Sequence, residues 1–431
     1  MGFVFHNAAL ERLHHDGPYA PRHVCDIGRA LAGHRVLDLT ALPTGLYPAS
    51  SAALRASSGY DRVWVRDNVF VAWSRLEAGQ PEAAGATANA LLAFYRKYRH
   101  RLEPGAAADA IARVRPHVRF DGSRLEELQD ETWPHAQNDA LGYCLWLCAR
   151  LARRGVLTLE SWHLEVMAAL AAYFADIRYW QDEDSGHWEE TKKQSASSIG
   201  VVVAGLEEWT SLLTERGSVA GARPLSAAID SALASIANGR DALDATLPSE
   251  CVQAAPTQRR RYDAALLFLL YPLDVVKGEM ADRIAADVVS QLQAPIGIRR
   301  YPGDSYWAPD YDTRLPEEDW TRDYSNDLDT RNRLIERPGD EAQWCIFDPV
   351  LSAFYGRRYQ RAGDVEDLAA QARHFNRSLA QITADWQCPE LYYRKDGLLR
   401  ANPHTPLLWT QANLQLALTL LGATAELGGR C

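Results

Sequence analysis

Two glutamates stand side by side in the segment GHWEE, residues 186–190 of this 431-residue sequence, directly after a tryptophan. Adjacent carboxylates repel each other, and folding gains nothing from that repulsion. A like charge and an apolar neighbour both raise a carboxyl pKa, so one member of such a pair can stay protonated near neutral pH. Glu189 and Glu190 are therefore candidates for proton-donating chemistry, which would also need a partner elsewhere in the chain.

A second candidate is the charged pair Arg66 and Asp67, which lies between apolar residues in VWVRDNV (63–69). A guanidinium donates hydrogen bonds and a carboxylate accepts them, so together they match the vicinal hydroxyls of a sugar. The residues alone leave another interpretation open. The pair could be a structural salt bridge at the start of a buried helix.

Aromatic and polar residues also occur together in the predicted loops. A sugar ring has an apolar face and a polar rim, so aromatic rings beside polar groups suit a carbohydrate site. Each segment has an alternative: Asn138 or Asp139 could cap a helix, RYPGDSYW (300–307) could be a surface turn, and Trp409 could belong to the core. The tryptophans beside polar, loop-proximal residues are Trp64, Trp133, Trp188, Trp307 and Trp409.

The composition is that of an ordinary globular protein, with 47% hydrophobic and 24% charged residues. A formal net charge of −10 disfavours nucleic acid and an anionic membrane surface as partners. The seven scattered cysteines show no zinc-binding spacing, and neither a metal nor a cofactor is predicted. Since no signal-peptide pattern and no apolar run of about 18 residues occurs, a cytoplasmic location is expected.

Apolar residues recur at three- and four-residue steps through most of the chain, which is the pattern of amphipathic helices. Alternating strand patterns are hard to find, and no long motif recurs at a fixed spacing, which disfavours an open solenoid. The predicted helical segments are 62–76, 78–101, 136–153, 160–177, 196–214, 225–238, 262–272, 278–293, 341–360, 364–384 and 406–424.

Loops of very unequal length separate these helices, which suggests helical hairpins closed into a ring. The longest, 296–340, is polar and acidic, and its tyrosines and tryptophans argue against disorder. Because no Gly/Ser/Pro-rich linker divides the chain, we expect one domain over 1–431, with residues 1–40 as an N-terminal extension packed on the ring. The other loops with distinctive residues are 43–61, 116–135, 178–195 and 386–405.

Taken together and in order, several segments resemble the catalytic module of glucoamylase-type enzymes, glycoside hydrolase family 15. They resemble even more the related module at the start of the phosphorylase kinase α and β subunits. Each segment is short, and the resemblance rests on their number and order over nearly the whole chain. The segments are GLYPAS (45–50), VWVRDNV (63–69), W…QND (133–139), WEE (188–190), SASSIG (195–200), RYPGD (300–304), CPELYY (388–393) and PLLWTQANL (406–414).

The resemblance implies an all-α fold, an (α/α)6 barrel formed as a toroid of six helical hairpins, with the site at one end among long loops. It also implies that Glu189 is the general acid and that Glu390, which follows by 201 positions (390 − 189), is the general base. In an inverting hydrolase these two carboxyl groups lie about 6.5–9.5 Å apart, which leaves room for the attacking water. The residues alone leave open that Glu390 is a solvated loop carboxylate.

The resemblance further implies contacts with an oligosaccharide or disaccharide. Arg66 and Asp67 would hold the sugar at the non-reducing end, and Glu190 would contact sugar hydroxyls. Trp133 would stack on the substrate, and Arg300 would contact a second subsite. The remaining predicted substrate-binding residues are Gln137, Asp139, Trp188, Tyr301 and Trp409.

The sequence therefore predicts an inverting, exo-acting α-glucosidase acting on short α-glucans or disaccharides, and leaves open a homo-oligomer. Raw starch is not expected as substrate, because the starch-binding module of the fungal enzymes and the β-sandwich of many bacterial ones are not recognisable. A non-catalytic carbohydrate-binding or regulatory protein is the main alternative. A sugar epimerase ranks last, since the 12 histidines show no evident catalytic pair.

Overall fold

Helices make up most of the computed structural model, which describes residues 4–50, 59–103, 115–129, 133–220 and 224–428. The α-helices are α1 (Ala8–Glu11), α2 (Pro21–Gly33), α3 (Val65–Glu77), α4 (Pro81–Lys97), α5 (Asn138–Arg153), α6 (Ser161–Asp176), α7 (Ala196–Ala220), α8 (Pro224–Thr246), α9 (Gly278–Gln291), α10 (Tyr311–Arg314), α11 (Leu328–Leu334), α12 (Phe347–Ala362), α13 (Val365–Ala380) and α14 (Leu408–Gly428). The strands are β1 (Val63–Trp64), β2 (Arg119–Phe120), β3 (Cys251–Val252), β4 (Arg259–Arg260), β5 (Gln343–Trp344), β6 (Leu391–Lys395) and β7 (Leu398–Ala401).

A closed inner ring of helices forms the centre of the fold. Helices α3, α5 and α7, the 3-10 helix Ala264–Leu269, α12 and α14 each contact the next, and α14 contacts α3 again. Inner helices are enclosed on several sides, so every residue of α5 from Asn138 to Ala149 is buried. Such a helix needs apolar residues all round rather than on one stripe.

A second, outer helix packs against each member of the ring. The pairs are α3 with α4, α5 with α6, α7 with α8, the 3-10 helix with α9, α12 with α13, and α14 with α2. The N-terminal residues thus supply the outer helix of the sixth pair, and α2 buries only Ile27 and Leu31 of its one-sided apolar stripe. These six pairs confirm the predicted (α/α)6 barrel. Within the described ranges no helix has the length and apolarity to cross a membrane.

The predicted helix 262–272 is shorter and more tightly wound than expected. The structure has the 3-10 helix Ala264–Leu269 there, and the side chain of Asp263 caps it by accepting a hydrogen bond from the Ala265 amide. Pro272 follows three residues after its end and lacks the amide hydrogen that a longer helix would need. The predicted loop 296–340 likewise contains the short α-helices α10 and α11 and the 3-10 helix Glu317–Asp319.

A three-stranded antiparallel sheet, β5-β6-β7, is the feature that the helical pattern did not predict. The β6–β7 turn is formed by Asp396 and Gly397, both with positive φ, as a two-residue hairpin turn requires. The Cys345 amide donates to the Glu390 carbonyl oxygen at 3.0 Å, which extends the pairing of β5 with β6. The sheet therefore fixes the backbone of Glu390.

The contact between α5 and α7 yields a stability prediction. A Cβ atom added to Gly205 would lie 2.8 Å from the Gly142 carbonyl oxygen, closer than packed atoms tolerate. We expect Gly205→Ala to lower the free energy of unfolding by about 1–3 kcal/mol, measured by urea denaturation.

Gly28→Ala is the matched control, because nothing lies within 4 Å of a Cβ at that position in α2. Alanine favours a helix more than glycine, so this variant should be unchanged or more stable by up to about 1 kcal/mol. Equal effects of the two substitutions would contradict the close packing of α5 on α7.

Candidate active site

A cavity of about 880 Å³ lies where the inner helices begin. Arg66 and Asp67 start α3, Trp409 starts α14, and Trp133 and Glu189 precede α5 and α7. Residues of the long segment between α9 and β5, from Arg300 to Ser325, line much of the remaining wall. The predicted position of the site, at one end of the barrel among long loops, agrees with this geometry.

Ten of the twelve predicted site residues line this cavity. Gln137 and Asp139 do not, because both lie behind Arg66 and bind its guanidinium group. The ten that line the wall are Arg66, Asp67, Trp133, Trp188, Glu189, Glu190, Arg300, Tyr301, Glu390 and Trp409.

The backbone separates the two adjacent glutamates. Glu189 follows the 3-10 turn Gly186–Trp188 and has a left-handed conformation, with φ 60° and ψ 36°. This conformation costs a residue with a side chain about 1–2 kcal/mol, and such strain concentrates at functional sites. As a result Glu189 accepts a hydrogen bond from Nε1 of Trp64 at 3.0 Å, whereas Glu190 contacts a different set of residues.

Glu190 is held as an anion. One carboxylate oxygen accepts from Arg260 at 2.9 Å, and the other accepts from the Tyr301 hydroxyl at 2.6 Å and lies 3.1 Å from Arg300. Burial alone would raise the pKa of Glu190, but the cations Arg260 and Arg300 outweigh burial and lower this pKa to about 2. Glu190 is therefore ionised at any physiological pH.

The pKa of Glu189 is shifted in the opposite direction from that of Glu190. Burial raises the pKa of its carboxyl group, and Arg66 and Arg119 oppose that rise in part. Asp139 is the carboxylate that adds to it. The raised pKa agrees with the sequence-based prediction, but burial and Asp139 are its causes here, since Glu190 is turned toward its own cations.

Arg66 forms a buried salt bridge, though not with its neighbour Asp67. Its Nε donates to Asp139 at 2.7 Å, and a terminal nitrogen donates to Gln137 at 2.8 Å. The alternative that Asn138 or Asp139 caps α5 is wrong, because the helix begins at Asn138 and its cap position is occupied by Gln137, whose side chain forms no cap bond. Gln137 and Asp139 instead hold Arg66 against the cavity.

Asp67 is a buried carboxylate that faces the cavity. It is only 6% exposed, and the described residues provide it with no hydrogen-bond donor or salt-bridge cation. Burial raises the pKa of Asp67 to about 7, despite the lowering effect of Arg66. A buried acceptor of this kind gains free energy when a ligand supplies hydroxyl donors.

Glu390 is buried and held by three side chains, which contradicts the alternative of a solvated loop carboxylate. It is 4% exposed. The Tyr60 hydroxyl donates to one of its oxygens at 2.9 Å, and Asn402 and Nδ1 of His404 contact the other, the latter at 3.0 Å. Tyr60, Asn402 and His404 were not predicted from the sequence, and no pattern marks the latter two beyond their place between β7 and α14.

Aromatic rings connect the two acids across the cavity wall. The ring of Tyr60 lies 5.6 Å from that of Trp64, and these two residues bind Glu390 and Glu189 respectively. Trp64 meets Trp133 edge-on at 5.8 Å, and the guanidinium of Arg119 lies 4.1 Å from the Trp133 ring centre. Both candidate catalytic groups therefore face one aromatic-walled space.

Trp409 and Trp188, two further predicted residues, contact side chains that do not line the cavity. Trp409 stacks on Phe268 at 5.2 Å and presents the rest of its ring to the cavity, so it belongs to both core and site. Nε1 of Trp188 donates to Asp263 at 2.9 Å.

Among the described residues that line the cavity His187 is the one histidine, which gives no support to the epimerase alternative.

The Arg66–Asp139 pair yields a second stability prediction. Asp139→Asn leaves the buried guanidinium of Arg66 without its carboxylate, and we expect a loss of about 3–5 kcal/mol in the free energy of unfolding. Arg66 and His187 lower the pKa of Asp139 although burial opposes them. This stability is therefore present at neutral pH and is lost as the pH falls below about 4.

Asp26→Asn is the control, because Asp26 pairs with Arg29 on the surface. Exposed pairs contribute at most about 1 kcal/mol. Urea denaturation should show a large loss for Asp139→Asn alone at pH 7, and this loss should become smaller as the pH falls below about 4. A loss no larger than that of the surface variant would refute the structural role of Asp139.

Solved structures of similar fold are glycosidases and glucoamylases. A wild-type glycosidase is 20% identical, with a TM-score of 0.65 over 96% of this chain and 98% of that one. The glucoamylase of Saccharomycopsis fibuligera is 14% identical, with a TM-score of 0.62 over 94% and 95%. A bacterial glucoamylase complexed with acarbose is 15% identical, with a TM-score of 0.57 over 89% and 53%.

Among curated proteins, the uncharacterised lipoprotein YgeQ of Escherichia coli strain K12 is 26% identical over 183 residues. This match covers 35% of the chain and 66% of the relative's length. The family model of glycosyl hydrolases family 15 matches residues 34–381, which include Glu189 and end shortly before Glu390. Since that match spans most of the chain, and the barrel and cavity agree with it, this protein belongs to glycosyl hydrolases family 15.

Proposed function

We propose that this member of the family is an inverting, exo-acting α-glucosidase that releases terminal glucose from short α-glucans or disaccharides. One observation carries the proposal: two glutamates, the partly buried Glu189 and the buried Glu390, line one cavity in environments that suit opposite roles. A glycosidase needs one carboxyl group that is protonated and one that is ionised at the same pH.

Glu189 suits the role of general acid. Burial raises its pKa, which favours the protonated form, and its carboxyl group lies against Trp64 at the cavity wall. Glu390 suits the role of general base, since Tyr60, Asn402 and His404 orient its carboxylate. A base that activates water must be held within hydrogen-bonding reach of that water, and such fixed orientation provides it.

In the proposed reaction Glu189 donates its proton to the glycosidic oxygen as the bond to the anomeric carbon breaks. Glu390 accepts a proton from water as the water oxygen bonds to the anomeric carbon from the opposite face. One water is consumed, the configuration inverts, and β-glucose leaves. Glu189 is then ionised and Glu390 protonated until both exchange protons with solvent.

Asp67 and Arg66 would bind the hydroxyl groups of the terminal sugar. The Asp67 carboxylate has no donor among the described residues and faces the cavity, so it is open to hydrogen bonds from sugar hydroxyls. The neighbouring guanidinium of Arg66 is fixed by Asp139 and Gln137 and remains at the cavity wall. A fixed donor beside an open acceptor is the pairing that two adjacent hydroxyls require.

The size and aromatic walls of the cavity support a short substrate. A volume of about 880 Å³ lies within the range of small-ligand pockets, about 300–1,000 Å³. Two similar solved structures also bear on the ligand class: a variant of the glycosidase holds glucose, and the bacterial glucoamylase holds acarbose. These observations favour a sugar of a few rings over a polymer threaded through the site.

Glu189→Gln and Glu390→Gln test the proposal. Each variant should lose at least about 100-fold in turnover, because general acid and general base catalysis typically contribute that much or more. The measurement is a proton NMR time course on maltose, isomaltose and trehalose. With wild-type protein the terminal glucose of maltose or isomaltose should appear first as the β-anomer, and trehalose should yield the two anomers in equal amounts. Glu165→Gln, on the surface beside Arg99, is the control and should retain full activity.

Unchanged turnover in both glutamine variants would refute the proposed roles. Sugar that binds in calorimetry but stays intact with wild-type protein would favour the carbohydrate-binding alternative.

Asp67→Asn tests whether the Asp67 carboxylate binds the terminal sugar. Loss of a charged acceptor weakens hydrogen bonds by about 1.5–3 kcal/mol, so kcat/KM should fall about ten- to hundredfold. The melting temperature should not fall, because the asparagine replaces a buried carboxylate that has no donor among the described residues. A lower melting temperature with unchanged kcat/KM would instead make Asp67 a structural residue.

A further inference from the structure

We propose that Arg260 and Asp263 are positioning residues that act from behind the cavity wall, holding Glu190 as an anion and setting the turn that carries Glu189. The inference rests on the proposed function and deepens it. Neither residue belongs to the cavity lining, so both act through residues that do.

Arg260 bridges two carboxylates. Its terminal nitrogens donate to Glu190 at 2.9 Å and to Asp263 at 2.9 Å. The guanidinium also lies 3.3 Å from the ring centre of Tyr301, whose hydroxyl binds the other oxygen of Glu190. The planar guanidinium satisfies both carboxylates and the ring at once, which the single ammonium group of lysine cannot reproduce.

Asp263 connects the turn Gly186–Trp188, which directly precedes Glu189, to the inner ring of helices. It is 1% exposed, and it accepts hydrogen bonds from Nε1 of Trp188 and from the Ala265 amide. Trp188 is the last residue of the turn before Glu189, and Ala265 belongs to the 3-10 helix Ala264–Leu269. The left-handed conformation of Glu189 is thus supported by a contact on the side away from the cavity.

Glu190 shares its cations with two other buried carboxylates, Asp263 and Asp304. Arg300 also binds Asp304 through two contacts of 2.6 Å, and Arg260 also binds Asp263. Burial and the nearby Asp263 raise the pKa of a further buried carboxyl group, Glu250, to about 8, although Arg260 opposes that rise. The cations that face Glu190 are Arg260 at 2.9 Å, Arg300 at 3.1 Å and Lys193 at 3.9 Å. Removal of Arg260 would leave Glu190, Asp263 and Asp304 with two cations.

The two adjacent glutamates are therefore positioned by different groups: Arg260 binds Glu190, and Asp263 binds the residue that precedes Glu189. Glu190 stays charged and fixed, and Trp188 fixes the direction of Glu189. Without Arg260, Glu190 would bind a proton at a higher pH, and its contact with substrate hydroxyls would weaken in acid. The effect would appear as a pH dependence, whereas loss of packing alone acts equally at every pH.

The test compares Arg260→Met with Arg260→Lys and with Arg261→Met. Arg261 is the adjacent arginine, which binds the Pro248 carbonyl oxygen and Asp287 on the outside of the barrel. Arg260→Met should lower kcat/KM at least tenfold at pH 5 and move the acid limb of its pH profile to higher pH. In Arg260→Lys the acid limb of the pH profile should lie between those of Arg260→Met and wild type. Arg261→Met should keep the wild-type profile.

The melting temperature provides a readout that needs no activity. A carboxylate with a lowered pKa contributes stability that is full above about pH 4.5 and is lost as the pH falls. The gap in melting temperature between wild type and Arg260→Met should therefore narrow from pH 7 to pH 3.5. Asp263→Asn, which keeps an acceptor for Trp188 and frees Arg260 for Glu190, should not move the acid limb upward.

A constant gap in melting temperature together with a uniform loss of kcat/KM at every pH would overturn the inference. Retained turnover in Glu189→Gln and Glu390→Gln would refute the proposed function instead. The melting curves decide the role of Arg260 independently of that result.

Discussion

The closure of the inner helical ring is the constraint on which the site depends. Each inner helix contacts its two neighbours, so the segments that precede these helices all converge on one cavity. Glu189 and Glu390 are far apart in sequence, and only a closed ring brings two such segments to one space. The outer helices, including α2 from the N-terminal residues, cover the apolar outer faces of that ring.

Within that frame, local structure makes neighbouring carboxylates different from each other. The left-handed turn at Glu189 directs its side chain to Trp64, and Glu190 reaches Arg260, Arg300 and Tyr301. Burial raises one pKa and cations lower the other, although the two residues are adjacent. The backbone strain at Glu189 is offset by the hydrogen bonds that hold the turn, as is common for strained residues at functional sites.

The fold was largely predictable because most of the paired helices leave a strong periodic signal, and the family motifs identified the barrel; α2 was not predicted as a helix. The sheet β5-β6-β7 was missed since β5 has two residues and β6 shows little alternation. Its turn did carry a signal, the Asp-Gly dipeptide at 396–397. The helix predicted at 262–272 was wrong in type, because Asp263 and Pro272 restrict its length.

The site was predictable as a set of residues but not as a set of contacts. Ten predicted residues line the cavity, yet the sequence could not show that Asp139 serves Arg66 or that Arg260 serves Glu190, since tertiary packing alone brings those partners together. Tyr60 and His404, which orient Glu390, escaped notice for the same reason. The cytoplasmic location and the single-domain extent stay predictions.

The central claim is that one bound sugar lies between Glu189 as general acid and Glu390 as general base. A crystal structure of the Glu189→Gln variant with an uncleaved disaccharide would test it most directly. The account predicts side-chain carbons of residues 189 and 390 about 6.5–9.5 Å apart on opposite faces of the terminal ring, with one water beside Glu390. Both groups on the same face of the sugar, or a separation too large for a single water to contact Glu390 and the anomeric carbon, would contradict it.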